Sequence, residues 1–315
     1  AENAFLRCRS LKKITIPAGV TKLDTLTFSC CTSLEEVILP NSIEAIGSNA
    51  FCHCSSLKTI KLPENLKTIA RSAFEGCSSL EEIELSEFVT DIGENAFAQC
   101  SSLKKITIPA GVTKLKDETF SGCRSLEEVI LPNSIETIGP MAFCNCSSLK
   151  EIQMPSSLTN IYQRAFEKCS SLVTITIPSS VSFMSSAVFN CCTALTEVNL
   201  PDSITDIPSS TFVNCTSLTA ITIPQSVKSI YNGAFANCTS LTAITIPESV
   251  TTISERAFSG CSSLVDVSLP SQLKEISSDL FENCTSLKTI KLPESVHTIE
   301  ITAFLNCSSL SKILI

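Results

Sequence analysis

Residues 4–23 read AFLRCRSLKKITIPAGVTKL, and the same phrase returns every 23 residues to the end of the chain. Phe stands at 5, 28, 51 and onward to 304, fourteen times, with no insertion or deletion to break the register. Cys follows each Phe by three residues, from Cys8 to Cys307, and Leu follows by three more, from Leu11 to Leu310. The unit is A-F-x-x-C-x-S-L-x-x-I-x-I-P-x-x-V-x-x-I. Pro fills twelve of the thirteen complete Pro slots, and Ser86 is the exception. Residues 11–23 recur identically at 103–115 and residues 34–44 at 126–136, an offset of four units, the pattern of a copied four-repeat block.

Within one unit, Ile14 and Ile16 are two apart, the strand period, so both point to one side. Pro17 ends that strand because it has no N–H for a ladder. Val20 and Leu23 mark a second short extended stretch. Phe5 and Cys8, three apart, fit one face of a short helical turn. A single unit this short cannot bury these side chains alone, but in-register stacking puts Phe on Phe, Leu on Leu and Cys on Cys. The expected fold is a repeat solenoid of about fourteen 23-residue rungs, with parallel strands about 4.8 Å apart.

The repeat also explains the composition. The 315 residues hold 16 Phe and 18 Cys but no Trp, two Tyr and two His, because fourteen Phe and fourteen Cys belong to one motif. With 43% hydrophobic and only 17% charged residues, the composition counts against disorder. A net charge of −8 counts against a nucleic-acid partner, since nothing here displaces counterions from phosphates. No run approaches the length of a membrane-spanning segment. The chain begins at Ala1 with no secretion-type leader, which reads as a mature or excised piece whose export or anchoring signal lies outside it. Residues 1–315 read as one solenoid domain. Both ends fall inside a repeat without a polar cap, so the array is either longer or stacks end to end on other copies.

The strand phrase L-x-x-I-x-I resembles a leucine-rich repeat. The full unit, with I-P, V-x-x-I and A-F-x-x-C-x-S-L, resembles the BspA-type leucine-rich repeats of bacterial and protist surface proteins over essentially the whole chain. The resemblance implies a curved solenoid with a parallel sheet on the concave face and short helical turns on the convex side. It also implies an extracellular or cell-surface location and a role in adhesion and protein binding. It carries no catalytic residues. Pro stands where the generic repeat has Asn after the strand, so no Asn ladder is expected there.

In that arrangement the second and fourth positions after each Leu face outward from the strand. The candidate ligand-binding residues are Lys13, Glu36, Ile38, Lys61, Glu82, Glu84, Lys105, Glu128, Ile130 and Glu151. The neighbouring column alternates sign strictly from Lys12 and Glu35 to Glu127 and Lys150, which serves register and solubility first and binding second. Outward Ile38 and Ile130 have no core to join, so they are contact candidates, although strand preference alone accounts for a β-branched residue. From rung eight the same face turns small and neutral, with Thr174, Thr176, Thr222 and Thr245. This suits a flat hydrogen-bonding surface, but Thr is also an ordinary strand residue.

Little in the sequence supports chemistry. The cysteines lack zinc-site spacing, and His53 and His297 stand more than ten rungs apart, so no metal or cofactor is expected. In-register stacking keeps Cβ vectors parallel and too far apart for disulfides, which predicts a ladder of buried free thiols acting as small apolar spacers. Among the four extra cysteines, Cys30 with Cys52 is the one pair close enough to consider. The five N-C-[ST] sequons at Asn145, Asn214, Asn237, Asn283 and Asn306 are glycosylation acceptors in form. The simpler reading is an Asn that closes its own turn by bonding backbone. No G-x-S-x-G, P-loop or G-x-G-x-x-G occurs, and a solenoid offers open surface rather than a closed pocket. The expectation is a non-enzymatic module that binds a protein or glycan through its concave sheet. The alternative is a building block of a filament or surface layer.

Overall fold

The computed structural model describes residues 2–315 and divides into two compact units, residues 1–158 and 159–315. Each is a parallel-strand β-solenoid of 23-residue turns, about thirteen in the chain as a whole. Every cross-strand register is an offset of 23 residues, as the repeat requires. Lys13 pairs with Glu36 and Ile14 with Val37 in the first unit. Thr174 pairs with Glu197 and Ile175 with Val198 in the second.

Two rows of short strands run through each unit. The first row carries I-x-I and pairs in twos: Lys13–Thr15 with Glu36–Ile38, Thr59–Ile60 with Glu82–Ile83, and Lys105–Thr107 with Glu128–Ile130. The second row is two residues wide and runs unbroken over four rungs of the first unit, Lys22–Leu23, Ala45–Ile46, Thr68–Ile69 and Asp91–Ile92. Between the rows, Pro starts a turn: the Val20 N–H donates to the Pro17 carbonyl at 3.0 Å. Ser86 keeps that turn without the proline ring, with Val89 N–H donating to its carbonyl at 3.0 Å.

The short helical turns expected around Phe and Cys are absent, and no helix occurs among the described residues. The three-residue spacing records successive tight turns instead. Cys8 N–H donates to the Phe5 carbonyl and Leu11 N–H to the Cys8 carbonyl. Two residues per turn hold a left-handed backbone, at two before and two after each Phe, such as Asn49 (φ 57°) and His53 (φ 59°) around Phe51. Left-handed residues cannot propagate a right-handed helix. The Phe N–H therefore leaves its own turn: Phe28 donates to Ala50 and Phe51 to Ala73, each on the next rung.

The core is the stacked motif. From Phe28 to Phe281 the ladder rings have no solvent exposure. Successive rings lie nearly parallel, 5.1–5.6 Å apart in the first unit and 5.3–5.8 Å in the second. Parallel planes at that centroid distance are offset stacks, which suit the ring quadrupole.

None of the eighteen cysteines is in a disulfide, Cys30 and Cys52 included. The repeat thiols are more than spacers. The Cys31 thiol donates to the Phe5 carbonyl at 3.0 Å, Cys123 to Phe97 at 3.1 Å and Cys261 to Phe235 at 3.2 Å, always one rung back. Each of these carbonyls thus accepts twice, once from its own turn and once from the next rung's thiol. Burial pushes the thiols up, Cys123 and Cys261 to about 12, so the ladder is protonated at neutral pH.

The sequon asparagines occupy left-handed positions, as turn residues should. The structure corrects what their side chains do. Asn237 donates its amide to Asn214 at 3.1 Å and Asn306 donates to Asn283 at 2.9 Å, along the stack rather than back to local backbone. Two amide pairs therefore bridge rungs in the Phe–Cys turn, away from the strand, whereas Asn145 donates to the Cys144 sulfur beside it at 3.4 Å. A side chain at Gly260 would collide with Asn237.

Candidate functional site

All ten candidate residues lie in the first unit and are exposed. Alternation of side chains along each first-row strand puts them there: Ile14, Val37 and Ile60 turn inward, and their neighbours turn out. Register sets one rung's outward residue against the next. Lys13 meets Glu36 with Nζ to Oε2 at 2.8 Å, and Lys105 meets Glu128 at 2.8 Å. In the adjoining column Lys12 faces Glu35 at 3.9 Å and Lys104 faces Glu81 at 3.5 Å. These pairs sit in water, where each contributes little to stability and mainly penalises a slipped register.

Ile38 and Ile130 stay outward, 45% and 43% exposed, beside Thr15 and Thr107 of the neighbouring strands. The structure does not bring them together, because four rungs separate them by roughly 19 Å. It does bring together Lys61, Glu82 and Glu84, which line a groove of about 760 Å³ with Glu64, Glu87 and Phe88. Four carboxylates against one ammonium make this groove acidic. Phe88, 54% exposed, is the residue the repeat logic missed as a surface feature. Its signal was present, since it lies outside the 23-residue series and two residues after Ser86, the one slot without Pro. In the second unit Thr174, Thr176, Thr222 and Thr245 are exposed as the pattern predicts, and Asn199 donates to Thr176 at 3.3 Å.

Among the described residues no three His, Cys, Asp or Glu side chains gather in a way that could hold a metal ion. Among the described residues no helix is long and apolar enough to cross a membrane.

The profile of the BspA-type leucine-rich repeat region matches six times, over residues 1–127, 113–242 and 228–315, which together cover the chain. The chain belongs to the BspA-type leucine-rich repeat family. Among solved structures, this BspA-type chain is similar to a leucine-rich repeat protein of Bacteroides ovatus, with 32% identity and a TM-score of 0.83. That match covers 100% of this chain and 86% of the other. It is also similar to a leucine-rich cell surface protein of Faecalibacterium prausnitzii, with 29% identity and a TM-score of 0.60, covering 96% and 87%. The pneumococcal vaccine antigen PcpA shares the fold at 20% identity and a TM-score of 0.51, covering 96% and 71%. No curated protein matches in sequence. In this BspA-type chain the Phe, Cys and Leu that recur in every repeat are buried inside the stack in all but the terminal rungs, so its rungs differ from one another in the outward columns and in the loop around Phe88.

Proposed function

We propose that this protein is a non-enzymatic binding module of the cell surface or extracellular space, and that it presents the outward first-row face of residues 1–158 to a protein ligand. The observation that carries this reading is the face itself. Its rungs are built alike inside, yet outside they differ in charge and carry exposed Ile38, Ile130 and Phe88. Nothing in folding requires these apolar residues at the surface, and exposed apolar groups in a charged surround favour protein contact. The location is supported by the relative from Faecalibacterium prausnitzii, which is described as a cell surface protein. Immunolabelling of intact cells tests it, and signal only after permeabilisation would reject it.

The binding test is the double variant Ile38→Asp plus Ile130→Asp, compared with the parent in pull-down from extracellular and host-surface fractions. Loss of a captured protein with unchanged thermal stability supports the face, and unchanged capture removes it. A glycan ligand on the same face and end-to-end self-association are the competing proposals. Capture abolished by deglycosylating the fractions would favour the first. A solution mass that rises with concentration would favour the second.

A further inference from the structure

The chain has only two Tyr; in the second unit Tyr231 lines a groove together with Phe183, and Tyr162 packs against Phe183 from outside that lining. The repeat supplies its own reference for these positions. The slot four residues before each ladder Phe holds Asp24, Gly47, Ala70 and Gly93 in the first unit, but Tyr162 and Tyr231 here. The first residue of the second-row strand is Lys22, Ala45, Thr68 or Asp91 there, but Phe183 here. The fold therefore does not call for an aromatic ring at any of the three. All three are nonetheless large, apolar and about two-fifths exposed.

Their placement is ordered. Tyr162 and Tyr231 share one column, three rungs or roughly 14 Å apart. Ser185 and Pro208 fill the two rungs between them in the same column. Phe183 leans on Tyr162 with ring centroids 5.4 Å apart and planes tilted by 53°. Phe183, Asp206 and Tyr231 line a groove of about 460 Å³ whose remaining walls include Ser182, Ser186 and Ser209. Thr205 donates to Asp206 Oδ2 at 2.8 Å, which orients the carboxylate.

We propose that this groove binds a short neutral oligosaccharide. A pyranose ring offers an apolar face of C–H bonds, which stacks on an aromatic ring, and a rim of hydroxyls in the ring plane. The groove matches both. Its aromatic posts supply stacking faces. Its serine hydroxyls both donate and accept, and Asp206 accepts, so they answer the rim. The charge pattern selects neutral sugars: no Lys or Arg lines the groove, and the single charge is an anion that repels acidic glycans. A protein partner fits less well, because serine hydroxyls and the Asp206 carboxylate interrupt the apolar wall formed by Phe183, Met184, Pro208 and Tyr231. The rung repeat of about 4.8 Å is comparable to one sugar unit, so adjacent rungs meet successive residues of one chain.

The test is calorimetric titration of the full chain with cellopentaose, xylopentaose, mannopentaose and galactopentaose, alongside Phe183→Ala, Tyr231→Ala and Tyr231→Phe. Both positions are exposed, and melting curves confirm that each of the three variants is folded. Binding of at least one pentasaccharide is expected, roughly tenfold or more weaker in each alanine variant and largely kept in Tyr231→Phe. Ile38→Asp plus Ile130→Asp should leave this binding intact, which separates the groove from the first-row face. Failure of all four sugars to bind, or equal binding by the alanine variants, overturns the proposal. Retention of a protein that depends on Phe183 and Tyr231, with no sugar bound, overturns it in favour of a protein site.

Discussion

Met141 has a left-handed backbone (φ 53°) in a slot where other rungs place Asn49 and Asn95. A side chain with Cβ is strained there by about 1 kcal/mol, and Asn tolerates the conformation best among non-glycine residues. Met141→Asn should therefore raise the melting temperature slightly in a circular dichroism melt. The thiols answer to a different balance. Cys123→Ala removes the donor from the Phe97 carbonyl and leaves a small void. It should cost about 2 kcal/mol in denaturant unfolding. Their titration adds a pH limit. An ordinary thiol titrates near 9.0, whereas Cys123 and Cys261 are held at about 12 by burial. A pKa higher in the folded chain stabilises the fold below pH 9 and withdraws that support as pH rises toward 12. Circular dichroism signal and thiolate absorbance should change together in that window, and thiolate appearing before unfolding would contradict the buried ladder. At pH 8 a thiol reagent should reach Cys8, Cys30, Cys191 and Cys307 in the native chain, and all eighteen after denaturation.

At the level of the element, the unit is two short strands joined by runs of tight turns. The I-x-I strands were legible because their period of two has one meaning when Pro follows. The Phe–Cys turn was not legible, because a spacing of three fits a helical turn and a run of i→i+3 turns equally well. What separates them is backbone handedness, and Leu26, Met141 and Ala187 show that nearly any side chain was accepted at the left-handed slots. Cross-rung bonds such as Phe28 N–H to the Ala50 carbonyl hold those slots in place. The outward charges act on register. Lys105→Glu places like charges against Glu82 and Glu128, yet all of these groups are solvated, so the loss should stay within about 0.5 kcal/mol. A melting shift much larger than that would show that the charge column does more than guard register.

Across the molecule, each rung is stabilised chiefly by its two neighbours, so damage should stay local. Phe97→Ala opens the ladder between Phe74 and Phe120 and should cost about 3–5 kcal/mol. Hydrogen exchange should accelerate in the adjacent rungs far more than in rungs of the other unit, and uniform acceleration would indicate a single cooperative block. The same logic bears on function. A stack whose inside repeats can vary its outside freely, and this chain does so twice. Phe88 lines an acidic groove in the first unit, and Phe183 and Tyr231 line a mixed groove in the second.

The sequence alone determined the rung, its period, the strand register and the buried Phe, Cys and Leu columns, because a fourteen-fold repeat admits only in-register stacking to bury them. It also named the outward columns, since strand alternation leaves no choice of face. Only the tertiary structure decided what the buried repeat thiols bond to, that the turns hold left-handed residues rather than a helix, and that Asn237 and Asn306 donate along the stack. Those facts depend on where the next rung's carbonyls lie, which no spacing within one rung encodes. The aromatic groove belongs with them. Phe183 and Tyr231 occupy different slots in different rungs, and they come to line one groove only once the rungs are stacked.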